Sequence, residues 1–301
     1  MVEFSQRPPY NTAMTEIRVG TCSWKYDSWR GIVYPETGEF DHLGEYARHF
    51  DTVEIDQWFW SLFKTETATL PDPALARQYA AAVPPDFRFT VKAPNSITLT
   101  HHYRRDKDRL LRANPHFLSL TLYNEFLRRL EPMVDKVALV MLQFEYLNRQ
   151  KITALPEFLE RLEPFLAARP RAVPLAIECR NPNYLHDAYF AFLRRHDVHH
   201  VFCQGYYMPP VWELEEKFAA QLTAAVVIRL MGADRKGIEA RSSDDWSLVR
   251  DPKDDELRQI VAMAQRLRKR GTRVYININN HYEGSAPRTA EKVRGLLANK
   301  T

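Results

Sequence analysis

Apolar residues along the chain fall into short runs, and each run is followed by a stretch with helical spacing. The runs 17–24 (IRVGTCSW), 52–56 (TVEID), 88–94 (RFTVKAP), 136–144 (KVALVMLQF), 174–180 (PLAIECR), 199–204 (HHVFCQ), 225–232 (AVVIRLMG) and 273–280 (RVYININN) read as strands. They are rich in β-branched and aromatic residues and alternate with period two or are continuously apolar. Between them, 43–50, 71–83, 115–133, 152–168, 187–196, 213–222, 255–271 and 287–300 carry helical patterns. Pro at the start of 71–83 and Gly271 at the end of 255–271 act as punctuation. Strands that alternate with helices imply parallel pairing through right-handed crossovers. Eight such units, spaced by roughly 25 to 48 residues, predict a single-domain α/β fold, a (β/α)8 barrel over 16–301. The first strand–helix turn, WKYDSWRG, lacks the GxGxxG expected of a doubly wound dinucleotide-binding sheet. Residues 1–15 read as a flexible tail. The connections after the third, sixth and seventh strands look long and are expected to cap one end of the barrel.

Alternation also predicts what faces the barrel interior. If the apolar positions of each strand face the helices, their neighbours face inward. Val53 and Ile55 outward leave Glu54 inside, and Phe89 and Val91 outward leave Lys92 inside. The same rule places Gln143, Glu178, Arg180, Arg229, Tyr275, Asn277 and Asn279 inside. Polar residues from six strands therefore converge, most of them towards the strand C-termini, where barrel enzymes carry their sites. An unpaired buried charge costs several kcal/mol, so these groups must pair, neutralise or face a wet cavity. The competing expectation is a closed ion network that only fixes barrel packing.

Composition changes this picture little. The chain has 301 residues, 45% hydrophobic and 27% charged, with a net charge of +4. A mildly basic balance permits an anionic ligand without requiring nucleic acid. The densest basic stretch, 101–112, contains Asp106 and Asp108 and reads as a solvated loop running into a helix. Cys22, Cys179 and Cys203 are far apart, odd in number and show no zinc-binding spacing, so they read as buried thiols in a reducing compartment. With no apolar run long enough to span a bilayer and no secretory signal pattern, a cytoplasmic protein with no membrane partner is expected.

The ordered blocks GTCSWKYDSWRGIVYP, YARHFDTVEID, FTVKAP, IECRNP, RLMG and NINNHYEGSAPRTA resemble the domain of unknown function 72 (DUF72) family, from Gly20 to about Ala290. The resemblance implies a TIM barrel. Carried over by position, it points to Trp24, Trp29, Glu54, Lys92, Glu178, Arg180, Asn279 and Asn280. Three segments depart from the family pattern: Asp56-Gln57-Trp58, QFEYLN at 143–148, and Arg180 to Tyr184, which lacks the usual Trp. They imply a differently shaped pocket.

The chemistry expected from these residues is metal-independent acid–base catalysis on a small anionic substrate, phosphorylated or sugar-like. Isomerase, lyase and hydrolase reactions all stay open, and no cofactor is expected. Glu54, Lys92 and Glu178 are the candidate catalytic groups. Arg180 and Arg229 would bind the anion, Gln143, Asn277, Asn279 and Asn280 would orient it, and Trp24 and Trp29, with Trp58, would wall the site. A second expectation is a metal-dependent phosphodiesterase on nucleic acid, with Glu54, Asp56, Glu178 and His281 as ligands; the neighbouring cations argue against it. A third is a non-catalytic binding module. Its only footprint would be the basic end of helix 255–271, which the helix macrodipole already accounts for.

Overall fold

The computed structural model describes residues 16–62, 67–103 and 111–299. Eight parallel strands close into a barrel in sequence order. They are β1 (Ile17–Cys22), β2 (Thr52–Ile55), β3 (Arg88–Lys92), β4 (Val137–Phe144), β5 (Leu175–Cys179), β6 (His199–Gly205), β7 (Ala225–Gly232) and β8 (Arg273–Ile278). The surrounding helices are α1 (His42–His49), α2 (Pro73–Ala81), α3 (Asn95–Thr98), α4 (Leu120–Arg129), α5 (Leu155–Ala168), α6 (Asp187–Arg195), α7 (Val211–Phe218), α8 (Arg235–Ser242), α9 (Asp254–Lys269), α10 (Asn280–Glu283) and α11 (Ala286–Ala298). The predicted single-domain (β/α)8 TIM barrel is what forms. The tail assigned to 1–15, and most of the basic stretch at 101–112, lie outside the described residues.

Local chemistry sets the element boundaries. Asp41, Asp72, Ser119 and Asp234 cap α1, α2, α4 and α8 by accepting from first-turn amides. The eighth strand, expected to reach 280, stops at Ile278 because Asn279 caps α10, its side chain accepting from the His281 amide. The connections after β3 and β7 are long and carry α3 and α8. The one after β6, expected to be long, is short: residues 206–210 alone join it to α7. Among the described residues no helix is long and apolar enough to cross a membrane.

Helix-facing strand positions, among them Val53, Ile55, Phe89, Val91, Val140, Leu142, Ile177, Ile228 and Ile276, join the main core between sheet and helices. Inside the barrel lies a separate apolar layer of Ala138, Leu139, Met141, Ala176, Val201, Val227 and Tyr275. Met141, Ala176, Val227 and Tyr275 each stand two residues before an inward polar residue: Gln143, Glu178, Arg229 and Asn277. Because side chains repeat on a face every second residue, this layer floors the barrel and the polar residues sit above it, nearer the strand C-termini. All three cysteines are free and buried. Cys179 joins the helix-side core, while Cys22 and Cys203 cluster with Met231.

Candidate functional site

Arg229, at the inward face of β7, is 1% exposed and stands at the centre of the polar layer. Its Nε donates to Glu54 Oε2 at 2.8 Å and its Nη2 to Glu54 Oε1 at 2.7 Å. Its Nη1 donates to Glu178 Oε2 at 2.5 Å and to Gln143 Oε1 at 3.1 Å. Arg180, just beyond β5, donates from Nε to the other Glu178 oxygen at 2.6 Å and from Nη2 to Gln143 Oε1 at 3.0 Å. Asn277 on β8 donates to Glu54 Oε2 at 3.0 Å and to Thr90 Oγ1 on β3 at 2.9 Å. Six strands are tied together, and the bidentate fork satisfies both oxygens of Glu54. Burial favours the neutral form of Glu178, but the guanidiniums of Arg229 and Arg180 outweigh it and hold the carboxyl at about 2.

This arrangement changes the roles expected of Glu54 and Glu178. Both carboxylates are engaged on both oxygens, and Glu178 has no proton to give near neutral pH. The competing expectation of a closed network describes these two glutamates, Arg229 and Gln143. The expected set of metal ligands is not assembled either. Arg229 occupies Glu54 and Glu178, and His281 is bound to Glu239 at 2.9 Å and to the side-chain oxygen of Asn279. Among the described residues no three His, Cys, Asp or Glu side chains gather to hold a metal ion.

Two charges stay outside the closed network. The two glutamates balance Arg229 and Arg180, which leaves Lys92 at the C-terminal end of β3 and Asp56 just past β2. The Lys92 ammonium is 3.9 Å from the centre of the Phe59 ring and has no hydrogen-bond acceptor among the described residues. Burial pushes its pKa down and the charge of Arg229 adds to this; Glu54, Asp56 and Glu178 oppose, and the result is about 8. Burial pushes Asp56 the other way, upward, against the pull of Lys92. One acid and one base are thus each displaced towards neutrality. Asp56 stands two residues beyond Glu54, the spacing that shares a strand face; the sequence reading took it only as a metal ligand.

Other expected ligand residues turn out to be packing. Trp24 and Trp29 are 1% and 0% exposed, so neither presents a face to a ligand. Trp29 lies against Tyr26 at 4.7 Å and Trp24 meets Tyr79 edge-on at 5.0 Å. Trp58 is half-buried and stacks on Tyr79. Asn277 is fully buried as a brace within the network. Asn280 accepts from the Ala286 amide at 2.9 Å and, with Asn279, shapes the turn after β8. Arg180 is half-buried and lines a cleft at the mouth, whereas Gln143 is buried within the network. Sequence reasoning missed Tyr206 and Tyr207, which follow Gly205 at the end of β6; a glycine followed by paired aromatics at a strand end was the available signal.

A closed parallel eightfold sheet, with ionisable side chains gathered at the C-terminal ends of its strands, defines this chain as a TIM-barrel protein with its polar centre where that architecture places functional sites. The family model "Protein of unknown function DUF72" matches residues 18–301, and the chain belongs to that family. It is 26% identical over 168 residues to the UPF0759 protein YecE of Escherichia coli K12, a match covering 56% of this chain and 50% of that one. The chain thus spans about half the length of the curated relatives it matches. A DUF72 family protein from Thermotoga maritima has a similar fold: TM-score 0.66, 22% identity, 93% of this chain and 98% of the other covered. One from Enterococcus faecalis gives a TM-score of 0.66 at 17% identity, covering 95% of this chain and 97% of the other.

Proposed function

We propose that this protein is a metal-independent acid–base enzyme acting on a small anionic, phosphorylated or sugar-like substrate at the C-terminal mouth of the barrel. The observation that carries the reading is Lys92: a buried ammonium outside the ion network, held against Phe59 and brought to about 8. A proton carrier works best with a pKa near the working pH. The Lys92 ammonium donates a proton to the substrate, and Asp56, with its raised pKa, accepts one. Glu54 and Glu178 act as positioning residues: they fix Arg229 and Arg180, and Arg180 presents positive charge to the substrate anion. Isomerase, lyase and hydrolase chemistry all use such a pair.

The test is turnover on a panel of small phosphate and carboxylate substrates, followed by Lys92→Met and Asp56→Asn. Each variant is expected to lower kcat about 100-fold or more, in line with the loss of a general acid or base, with an unchanged circular dichroism spectrum. Full turnover in both variants overturns the reading.

A further inference from the structure

The ends of β6 and β7 approach more closely than side chains allow. A Cβ on Gly205 would stand 2.4 Å from the Gly232 carbonyl oxygen, and one on Gly232 would stand 2.3 Å from that of His281. Both glycines also have positive φ, 131° and 77°. The next residue, Tyr206, is held at φ 54°, a conformation that aromatic residues rarely adopt and that persists only where the surroundings enforce it. Its amide donates to the Gly232 carbonyl at 3.1 Å.

The result is a ring held in place beneath an arginine. The Arg180 guanidinium carbon lies 4.5 Å from the centre of the Tyr206 ring. Arg180 uses Nε and Nη2 on Glu178 and Gln143, while its Nη1 has no hydrogen-bond partner among the described residues. Arg180 borders a cleft of about 760 Å³ whose walls include Glu145, Tyr146, Tyr206, Tyr207 and Met208. Glu145 is ion-paired with Lys151, which offsets its charge. Tyr207 is 95% exposed and Tyr146 60%, so the cleft shows flat aromatic surface to solvent, with one cationic edge at its inner side.

We propose that this cleft is a subsite for a ring-bearing anion, with a phosphate or carboxylate on the Nη1 edge of Arg180 and the ring against the tyrosines. The proposal deepens the enzymatic reading and rests on it only in treating this ligand as part of the substrate. Guanidinium selects the acidic group and the tyrosine faces select a ring.

The test is calorimetric binding of phenyl phosphate, glucose 6-phosphate, inorganic phosphate and phenol to the intact protein. At least one ring-bearing phosphate is expected to bind about tenfold tighter than both inorganic phosphate and phenol; whichever binds better identifies an aromatic or a sugar ring. Tyr206→Asn, which tolerates the left-handed backbone, and Tyr207→Ser are each expected to weaken that binding about fivefold to tenfold. Equal affinity for inorganic phosphate, equal affinity for the uncharged phenol, no binding of either ring phosphate, or unchanged affinity in both variants overturns the subsite. Binding is read without turnover, so a protein that binds these probes but catalyses nothing sinks the enzymatic reading and leaves the subsite standing.

Discussion

Glu54 and Arg229, 175 residues apart in sequence, meet through two parallel hydrogen bonds of 2.8 and 2.7 Å inside the barrel. Neither could lie there alone. A buried ion pair adds little net stability over well-packed apolar residues, yet breaking it on one side strands the other charge. Arg229→Met leaves Glu54 and Glu178 together without their shared cation and is expected to cost about 3–5 kcal/mol. Glu54→Gln is expected to cost less, because Arg229 keeps Glu178. The double variant should be less destabilised than the sum of the two. Urea unfolding of all four proteins checks this; strict additivity would mean that the two side chains do not support each other.

The acid limb of stability should report Glu178. Its folded pKa, about 2, lies below the unfolded value near 4.5. The unfolded chain therefore takes up a proton first as pH falls. The stabilisation is fully present above about 4.5 and is lost as pH drops towards 2. A shift of that size corresponds to something on the order of 3 kcal/mol. Between pH 5 and pH 3, the unfolding free energy of the wild-type protein should fall more steeply than that of Glu178→Gln, which lacks the titrating group. Parallel slopes would place Glu178 outside the reach of the two arginines.

How far these contacts were legible in the sequence varies with their physical origin. Glu54, Gln143, Glu178, Arg229 and Asn277 were readable as inward-facing because their apolar neighbours can only face the helices. Which of them pair was not readable: the Glu54–Arg229 fork depends on how the barrel closes, and no local pattern encodes that. Trp24 and Trp29 were read as ligand walls because they follow a strand end. Their burial depends on Tyr26 and Tyr79, whose rings cover them. Asp56 was read only as a metal ligand, and its separation from the ion network emerged only once Arg229 and Arg180 were seen to pair with Glu54 and Glu178. The short link after β6 was misjudged because the first turn of α7, Val211-Trp212, reads as apolar loop when helical spacing is sought only from Glu213 onward.

Lys92 should titrate as an unusually acidic amine. Its folded value of about 8 lies below the ordinary 10.5, with burial as the leading cause. Between those values the unfolded chain binds the extra proton, so this group makes stability rise with pH across that window. Competitive acetylation at a series of pH values, read by mass spectrometry of the Lys92 peptide, should give a midpoint near 8, well separated from the exposed lysines. A midpoint shared with them would remove the basis for Lys92 as a proton carrier.

Gly205 offers a test of the turn that carries Tyr206. Gly205→Ala places a methyl group 2.4 Å from the Gly232 carbonyl oxygen, a contact with backbone rather than with a side chain that could swing away, and at φ 131°. Strain of this kind costs of order 1–3 kcal/mol at one residue before the clash is counted. The β6 and β7 ends must separate, and the Tyr206 amide then loses its bond to the Gly232 carbonyl. The expected outcome is a thermal midpoint lowered by several degrees, together with faster hydrogen exchange at the Tyr206 amide. The barrel floor, built from Val201 and Val227 nearer the strand starts, should keep its protection. A variant as stable as the wild type, with the Tyr206 amide still protected, would show that the close approach of β6 and β7 is not what holds that ring.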